Sequence, residues 1–210
     1  MASTIQVDKV QDTGGNTILS SNSTGTFTNN LPANLTGATG TLAIAQGGTG
    51  AATLAAAGLS MTPSFRVTLS GNQTISDTTT TLISFDTNSG TATAGACWDT
   101  NSSWNTSTYR FTVPAGEAGK YQFNWATYVS TLDQDERMVQ FLFLNGSSTN
   151  YGESQWQSNR SSGDATGTGT VTLELSVADY IELKIYVNAG TSTTLSSART
   201  FFAGYKLIGI

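Results

Sequence analysis

Hydrophobic residues in the second part of the chain recur at every second position. YRFTV places Tyr109, Phe111 and Val113 in register, and KYQFNWATYV does the same with Tyr121, Phe123, Trp125 and Val129. VTLELSV sets Val171, Leu173, Leu175 and Val177 against Thr172, Glu174 and Ser176, and YIELKIYV repeats the arrangement with Ile181, Leu183, Ile185 and Val187. A period of two belongs to a strand with one face in a core and the other outside, and helical spacing fits none of these segments. MVQFLFLNGSS departs from the alternation. Phe141, Leu142, Phe143 and Leu144 are apolar on both faces, ahead of an Asn145-Gly146 hairpin signal, and the C-terminal FFAGYKLIGI is two-sided in the same way. The second apolar face of such a strand needs cover, and a neighbouring subunit supplies it.

Strands are expected near Phe65–Leu69, Thr80–Phe85, Tyr109–Val113, Tyr121–Val129, Met138–Leu144, Gly169–Val177, Tyr180–Val187 and Phe201–Ile208. About eight antiparallel strands in two sheets predict an all-β jelly-roll sandwich over residues 63–210. Residues 1–62 read as an extended, low-complexity N-terminal attachment or connector segment. Their apolar positions, Ile5, Val7, Val10, Ile18, Leu19, Phe27, Leu31 and Leu35, are spread thinly between turn residues. AATLAAAGL allows one or two helical turns from Ala51 to Ala57, stopped by Gly58 and too short to persist alone. Short strands with open edges bury little by themselves. The segment is therefore either a disordered tail or one that orders by pairing with its own copies or with a larger assembly.

Composition sharpens this division. Charged residues make up 11% of the 210, below the usual quarter. Of these, Asp8, Lys9 and Asp12 alone fall in the first 60 residues, where Phe27 is also the lone large aromatic. The net charge of −5, from 9 basic against 14 acidic residues, argues against nucleic acid and anionic membrane partners. No apolar run approaches the length of a membrane-spanning helix, so no membrane insertion is expected. MASTIQVDKV has neither a basic start nor a long apolar run, so no secretory signal is expected there. The chain has no histidine and one cysteine, Cys97. The commonest metal ligand and general base is thus missing, as is any cysteine-rich metal site, and Cys97 reads as an inert, largely buried thiol.

Few residue clusters remain to carry chemistry. Gly47, Gly48 and Gly50 in GGTGAAT lack the Lys-Ser/Thr of a phosphate loop and follow no buried parallel strand. Asp133, Asp135 and Glu136 in STLDQDERMV form either a solvated hairpin loop or a calcium site; oxygen ligands of this kind suit that ion. Glu117 and Asp164 are lone loop acids, whereas a glycosidase needs two facing carboxylates. Neither a catalytic group nor a cofactor is expected. Trp98 and Trp104 in CWDTNSSWNTS and Trp156 in ESQWQSNRS sit among Asn, Gln and Asp. Indoles in such company suit sugar stacking or a protein contact, or else they plug the ends of the sandwich. Taken as loop residues, they are the candidate receptor contacts.

Two resemblances add to this. YRFTVPAGEAGKYQF, with Phe111, Pro114, Gly119, Tyr121 and Phe123, resembles the jelly rolls of complement globular heads and tumour necrosis factors. So does SVADYIEL, which keeps Asp179 but has Ala178 where that family usually has Gly, and so does FFAGYKLIGI with Phe202 and Gly204. The likeness covers about residues 64–210 and implies a jelly-roll head; complement-type heads sometimes hold calcium. STIQVDKVQDTGGNTI and IAQGGTGAATLAAAGL look like connector segments of tail-fibre and related virion proteins of tailed bacteriophages. Together they imply a non-enzymatic virion protein, homotrimeric through its heads, attached to other virion proteins by residues 1–62. Its head would contact a host glycan or protein. The alternative is a trimeric decoration or cement protein on the phage capsid. Phe141, Phe143, Phe202 and Tyr205 are the candidate trimer-interface residues.

Overall fold

The alternating segments pair as antiparallel strands in the computed structural model, which describes residues 9–21, 27–29, 57, 60–147, 149–159, 161 and 163–208. They divide into two units, within Met1–Ala52 and Thr53–Ile210. In the first unit, β1 (Lys9–Gln11), β2 (Thr17–Ser21) and β3 (Phe27–Asn29) form an antiparallel sheet in that order. The β1–β2 turn is built by Asp12. Its carboxylate accepts the backbone N–H groups of Gly14 (2.9 Å) and Asn16 (2.8 Å), while Gly15 takes a φ of +80°. Ile5, Val7, Leu31, Leu35, Gly47, Gly48, Gly50 and the helical turns expected from Ala51 lie outside the described residues.

The second unit contains β4 (Ser64–Thr68), β5 (Gln73–Ile75), β6 (Thr81–Leu82), β7 (Gly90–Ala92), β8 (Gly95–Asp99), β9 (Trp104–Asn105), β10 (Arg110–Thr112), β11 (Gly119–Ser130), β12 (Arg137–Leu144), β13 (Asn150–Gln157), β14 (Ala165–Leu175), β15 (Tyr180–Asn188), β16 (Thr193–Leu195) and β17 (Phe201–Lys206). One sheet runs β13-β12-β15-β10-β9, with β6 beside β15. The other runs β5-β16-β11-β17-β4-β8-β7, with β14 beside β11. From β10 onward the long strands cross between sheets, β10 to β11 to β12, then β13 to β14 to β15 to β17, and β4 closes against β17. This winding of antiparallel strands over two facing sheets is a jelly roll.

The expected strands are present, the one near Thr80–Phe85 only as Thr81–Leu82, and their alternation places the core. Tyr121, Phe123, Trp125 and Val129 of β11 face Ile181, Leu183, Ile185 and Val187 of β15, all buried. At one end Phe65, Trp104, Phe111, Phe123 and Phe202 interlock, with Phe65 centred 5.1 Å from each of Trp104, Phe111 and Phe202. Gly204 lies among these rings. A Cβ there would stand 2.6 Å from Phe123 and 2.8 Å from Phe65.

Other expectations change. β14 ends at Leu175, so Val177 is an exposed turn residue rather than a core one. NYGESQWQ, expected as a loop, is the edge strand β13; its alternation runs between polar residues and Gly152, Ser154 and Trp156.

Candidate interaction surface

Inward residues of β4, β11 and β17 fix which of their neighbours face outward. Phe65, Phe123 and Gly204 are level with one another and inward, so Arg66, Asn124 and Ala203 form the next row on the outer face. Arg66 in turn pairs with Trp98 on β8, and Tyr205 stands opposite Ser64 and Gln122. These side chains surround a hollow of about 470 Å³ lined by Met61, Arg66, Trp98, Asn124, Phe201 and Tyr205, among others. Met61 is 55% exposed and Trp98 44%, so two large apolar side chains meet solvent at one place.

Polar groups on this face are largely paired within it. The Arg66 guanidinium donates to Ala96 O (2.7 Å) and Ala94 O (2.6 Å) and lies over the Phe201 ring at 4.7 Å. Gln122 donates through Nε2 to the Thr170 hydroxyl and accepts from the Thr172 hydroxyl at 2.6 Å. Thr100 ties down Ser64, accepting its backbone N–H at 2.6 Å. A polar group already paired loses less when water is removed, so Arg66 and Gln122 are cheaper to bury here than free groups would be.

The outer face of the other sheet also has cations lying on its aromatic rings. Lys184 sits 4.7 Å above Phe143 and 3.4 Å from Glu182, and Arg137 lies over Tyr186 at 5.7 Å. As with Arg66 over Phe201 and Arg199 over Tyr128 on the first face, these cations would have to be stripped of water on burial.

The expected site residues are therefore scattered. Trp98 is exposed as expected, although on strand β8 rather than a loop. Trp104 is not a receptor contact: it is 4% exposed, packs on Phe65 and donates Nε1–H to Phe85 O at 3.0 Å. Its polar context is explained by Asp99, whose carboxylate accepts the backbone N–H groups of Ser103 (2.9 Å) and Trp104 (3.2 Å). Trp156 is not a loop residue either. It stands opposite Met138 on β13, half-buried against the core.

The four candidate interface residues do not share a surface. Phe141 and Phe143 lie on the outer face of the β12 sheet, with ring centres 6.0 Å apart. Tyr205 belongs to the opposite outer face, and Phe202 is wholly buried between the sheets. Met61, Arg66 and Phe201 were not picked out from the sequence. The signal for Phe201 was the two-sided strand: once Phe202 and Gly204 face inward, Phe201, Ala203 and Tyr205 must face outward.

Among the acids, the Glu136 carboxylate accepts Asp133 N–H at 2.6 Å. No cluster of three or more metal-ligating side chains occurs among the described residues. Glu117 pairs with Lys206 at 3.0 Å, and Asp164 accepts the Tyr128 hydroxyl, a hydrogen bond that holds the Tyr128 phenol above its usual range. Cys97 is buried, with its sulfur 3.3 Å from the Thr68 hydroxyl.

No family model matches the chain. No curated protein matches it in sequence. Among solved structures it is similar to the globular domain of zebrafish complement 1qA protein, at 17% identity and a TM-score of 0.48, over 69% of this chain and 97% of that one. It is also similar to Eiger TNF from S. frugiperda, at 13% identity and a TM-score of 0.47, over 70% of this chain and 92% of that one.

Proposed function

We propose that this is a non-enzymatic virion structural protein of the tail-fibre type, a homotrimer whose heads associate through the outer face of the β14-β11-β17-β4-β8 sheet. The N-terminal segment attaches it to other virion proteins, and the surfaces left free on the heads contact the host. The observation that carries self-association is the hollow beside Trp98 and Met61, on a face where Arg66 and Gln122 are already paired. The two halves of that face are unlike. Trp98, Arg66 and Phe201 lie toward β8, whereas Thr168, Thr170, Thr172 and Glu174 lie along β14. Unlike halves meeting around a rotation axis make a heterologous contact, and such contacts form a closed ring where the rotation closes. Assignment to a virion is supported by the resemblance of STIQVDKVQDTGGNTI and IAQGGTGAATLAAAGL to tail-fibre connectors. A non-catalytic role is supported by the commitment of Glu117 to Lys206 and of Asp164 to Tyr128.

Light scattering tests the assembly. Three copies of the 21.9 kDa chain give about 66 kDa, and Trp98→Glu should yield a folded monomer. A wild-type chain that stays monomeric at micromolar concentration would overturn it. Imaging of virions labelled on this protein tests the location: a label on the tail is expected, and a label on the capsid would give the decoration role instead.

A further inference from the structure

Asn145-Gly146 is the chain's single Asn-Gly dipeptide, and it forms the β12–β13 hairpin turn with φ values of +53° and +65°. Both residues are exposed. Glycine after asparagine leaves the following backbone nitrogen unhindered, so this nitrogen can attack the side-chain amide carbon. Here, however, both ends of that amide are engaged by a different loop. Asn145 Nδ2 donates to Asp179 Oδ1 at 2.7 Å, and Asn145 Oδ1 accepts Tyr180 N–H at 2.8 Å. The backbone adds a third tie, Asn145 N–H to Tyr180 O at 2.9 Å. Asp179 is itself held by Ser176 N–H on its second oxygen, at 2.7 Å.

We infer that Asn145 is a deamidation site kept latched by Asp179 and Tyr180, so that the folded head protects it and its modification unlocks two loops. In the reaction the deprotonated Gly146 nitrogen bonds to Asn145 Cγ, and the Cγ–Nδ2 bond breaks with loss of ammonia. Water then opens the resulting succinimide at either carbonyl, leaving aspartate or isoaspartate. The latch opposes the first step, because Cγ cannot turn toward Gly146 while Oδ1 and Nδ2 are bound to the facing loop. The aspartate product reverses the sign of the contact: a carboxylate then faces the Asp179 carboxylate where an N–H donor stood, and like charges at that separation repel.

The test follows deamidation of the full chain in mildly alkaline buffer, by peptide mass and isoaspartate content. Folded wild type should react at residue 145 about tenfold more slowly than the same chain in urea, the protection that a hydrogen bond to a charged acceptor supplies. Asp179→Ala should recover most of that rate. Asp179→Asn, which keeps the shape of the loop, is the second variant should the first fail to fold. A folded wild type that reacts as fast as in urea, or folded Asp179 variants that react as slowly as wild type, would overturn the inference. Asn145→Asp, the product itself, should expose the Tyr180 amide to hydrogen exchange; retained protection there would show that the loops do not unlock.

Discussion

Replacing Gly204 by alanine isolates one steric fact about the core. The backbone at Gly204 lies outside the left-handed region, so the substitution adds no backbone strain. What it adds is a methyl group 2.6 and 2.9 Å from two atoms of Phe123 and 2.8 Å from Phe65. Ordinary carbon contacts begin near 3.5 Å, so each ring must retreat by roughly 0.7–0.9 Å. Neither can do so alone. Phe65 is stacked on Phe111 at 5.1 Å and edge-on to Phe202 at 5.1 Å, and Phe123 is stacked on Phe202 at 5.9 Å. Overpacking of a tight core costs about 1–3 kcal/mol, and an aromatic cluster that must shift together belongs at the upper end. The unfolded chain's loss of freedom returns about 0.5 kcal/mol, leaving a net destabilisation of about 2 kcal/mol. Urea unfolding followed by tryptophan fluorescence reads this as a midpoint lower by roughly 1 M at an unchanged slope. Protein concentration is held fixed, because association would shift the midpoint. Gly71→Ala is the control, since nothing lies within 4 Å of a Cβ there and its φ is ordinary. If the two variants unfold within about 0.5 kcal/mol of each other, the steric argument for Gly204 fails.

Ala178 carries a φ of +70° in the β14–β15 turn, so Ala178→Gly should relieve left-handed strain of about 1 kcal/mol and raise stability by about 0.5 kcal/mol after the glycine's unfolded-state entropy; a lower urea midpoint would refute this. Asp86 titrates below its usual value: partial burial pushes it up, but Ser70 outweighs this with its backbone N–H at 2.7 Å and its hydroxyl at 2.5 Å. A carboxyl lowered on folding stabilises above its unfolded pKa, near 3.9, and that contribution disappears as pH falls through the folded value. Ser70→Ala should therefore flatten the loss of stability below about pH 4, and identical acid profiles for the two proteins would count against the assignment.

Alternation was readable wherever a strand has one face in the core and the other in solvent, as with Tyr121, Phe123 and Trp125 or Ile181, Leu183 and Ile185. It was unreadable in β13, where two of the inward positions are Gly152 and Ser154. An edge strand over a crowded interior needs small inward residues, and these carry no hydrophobic signal. Trp104 was hidden for a different reason. The residues around it are polar because Asp99 pins the local backbone, while its ring enters the core through contacts with Phe65 and Phe85 that are distant in sequence. The outer-face hollow likewise draws Met61, Trp98 and Phe201 from three separate stretches, which only the pairing of β8, β4 and β17 brings together.

The start of β14 shows how a local rule gives way to a distant side chain. Glycine weakens a strand through its unfolded-state entropy, and ATGTGTVTLEL therefore read as a strand only from Gly169. The strand in fact begins at Ala165 and pairs with β11 along its whole length, from Ala165 opposite Val129 to Leu175 opposite Gly119. A Cβ at Gly169 would lie 2.1 Å from the Trp125 ring, and one at Gly167 would lie 1.8 Å from Gln140 Nε2. Both glycines are hollows for large side chains of β11 and β12, which the sandwich must house where its edge strands close. Trp125 and Gln140 fit inside because β14 leaves out two side chains. The glycines that weaken this strand in isolation are what allow it to lie flat over the core.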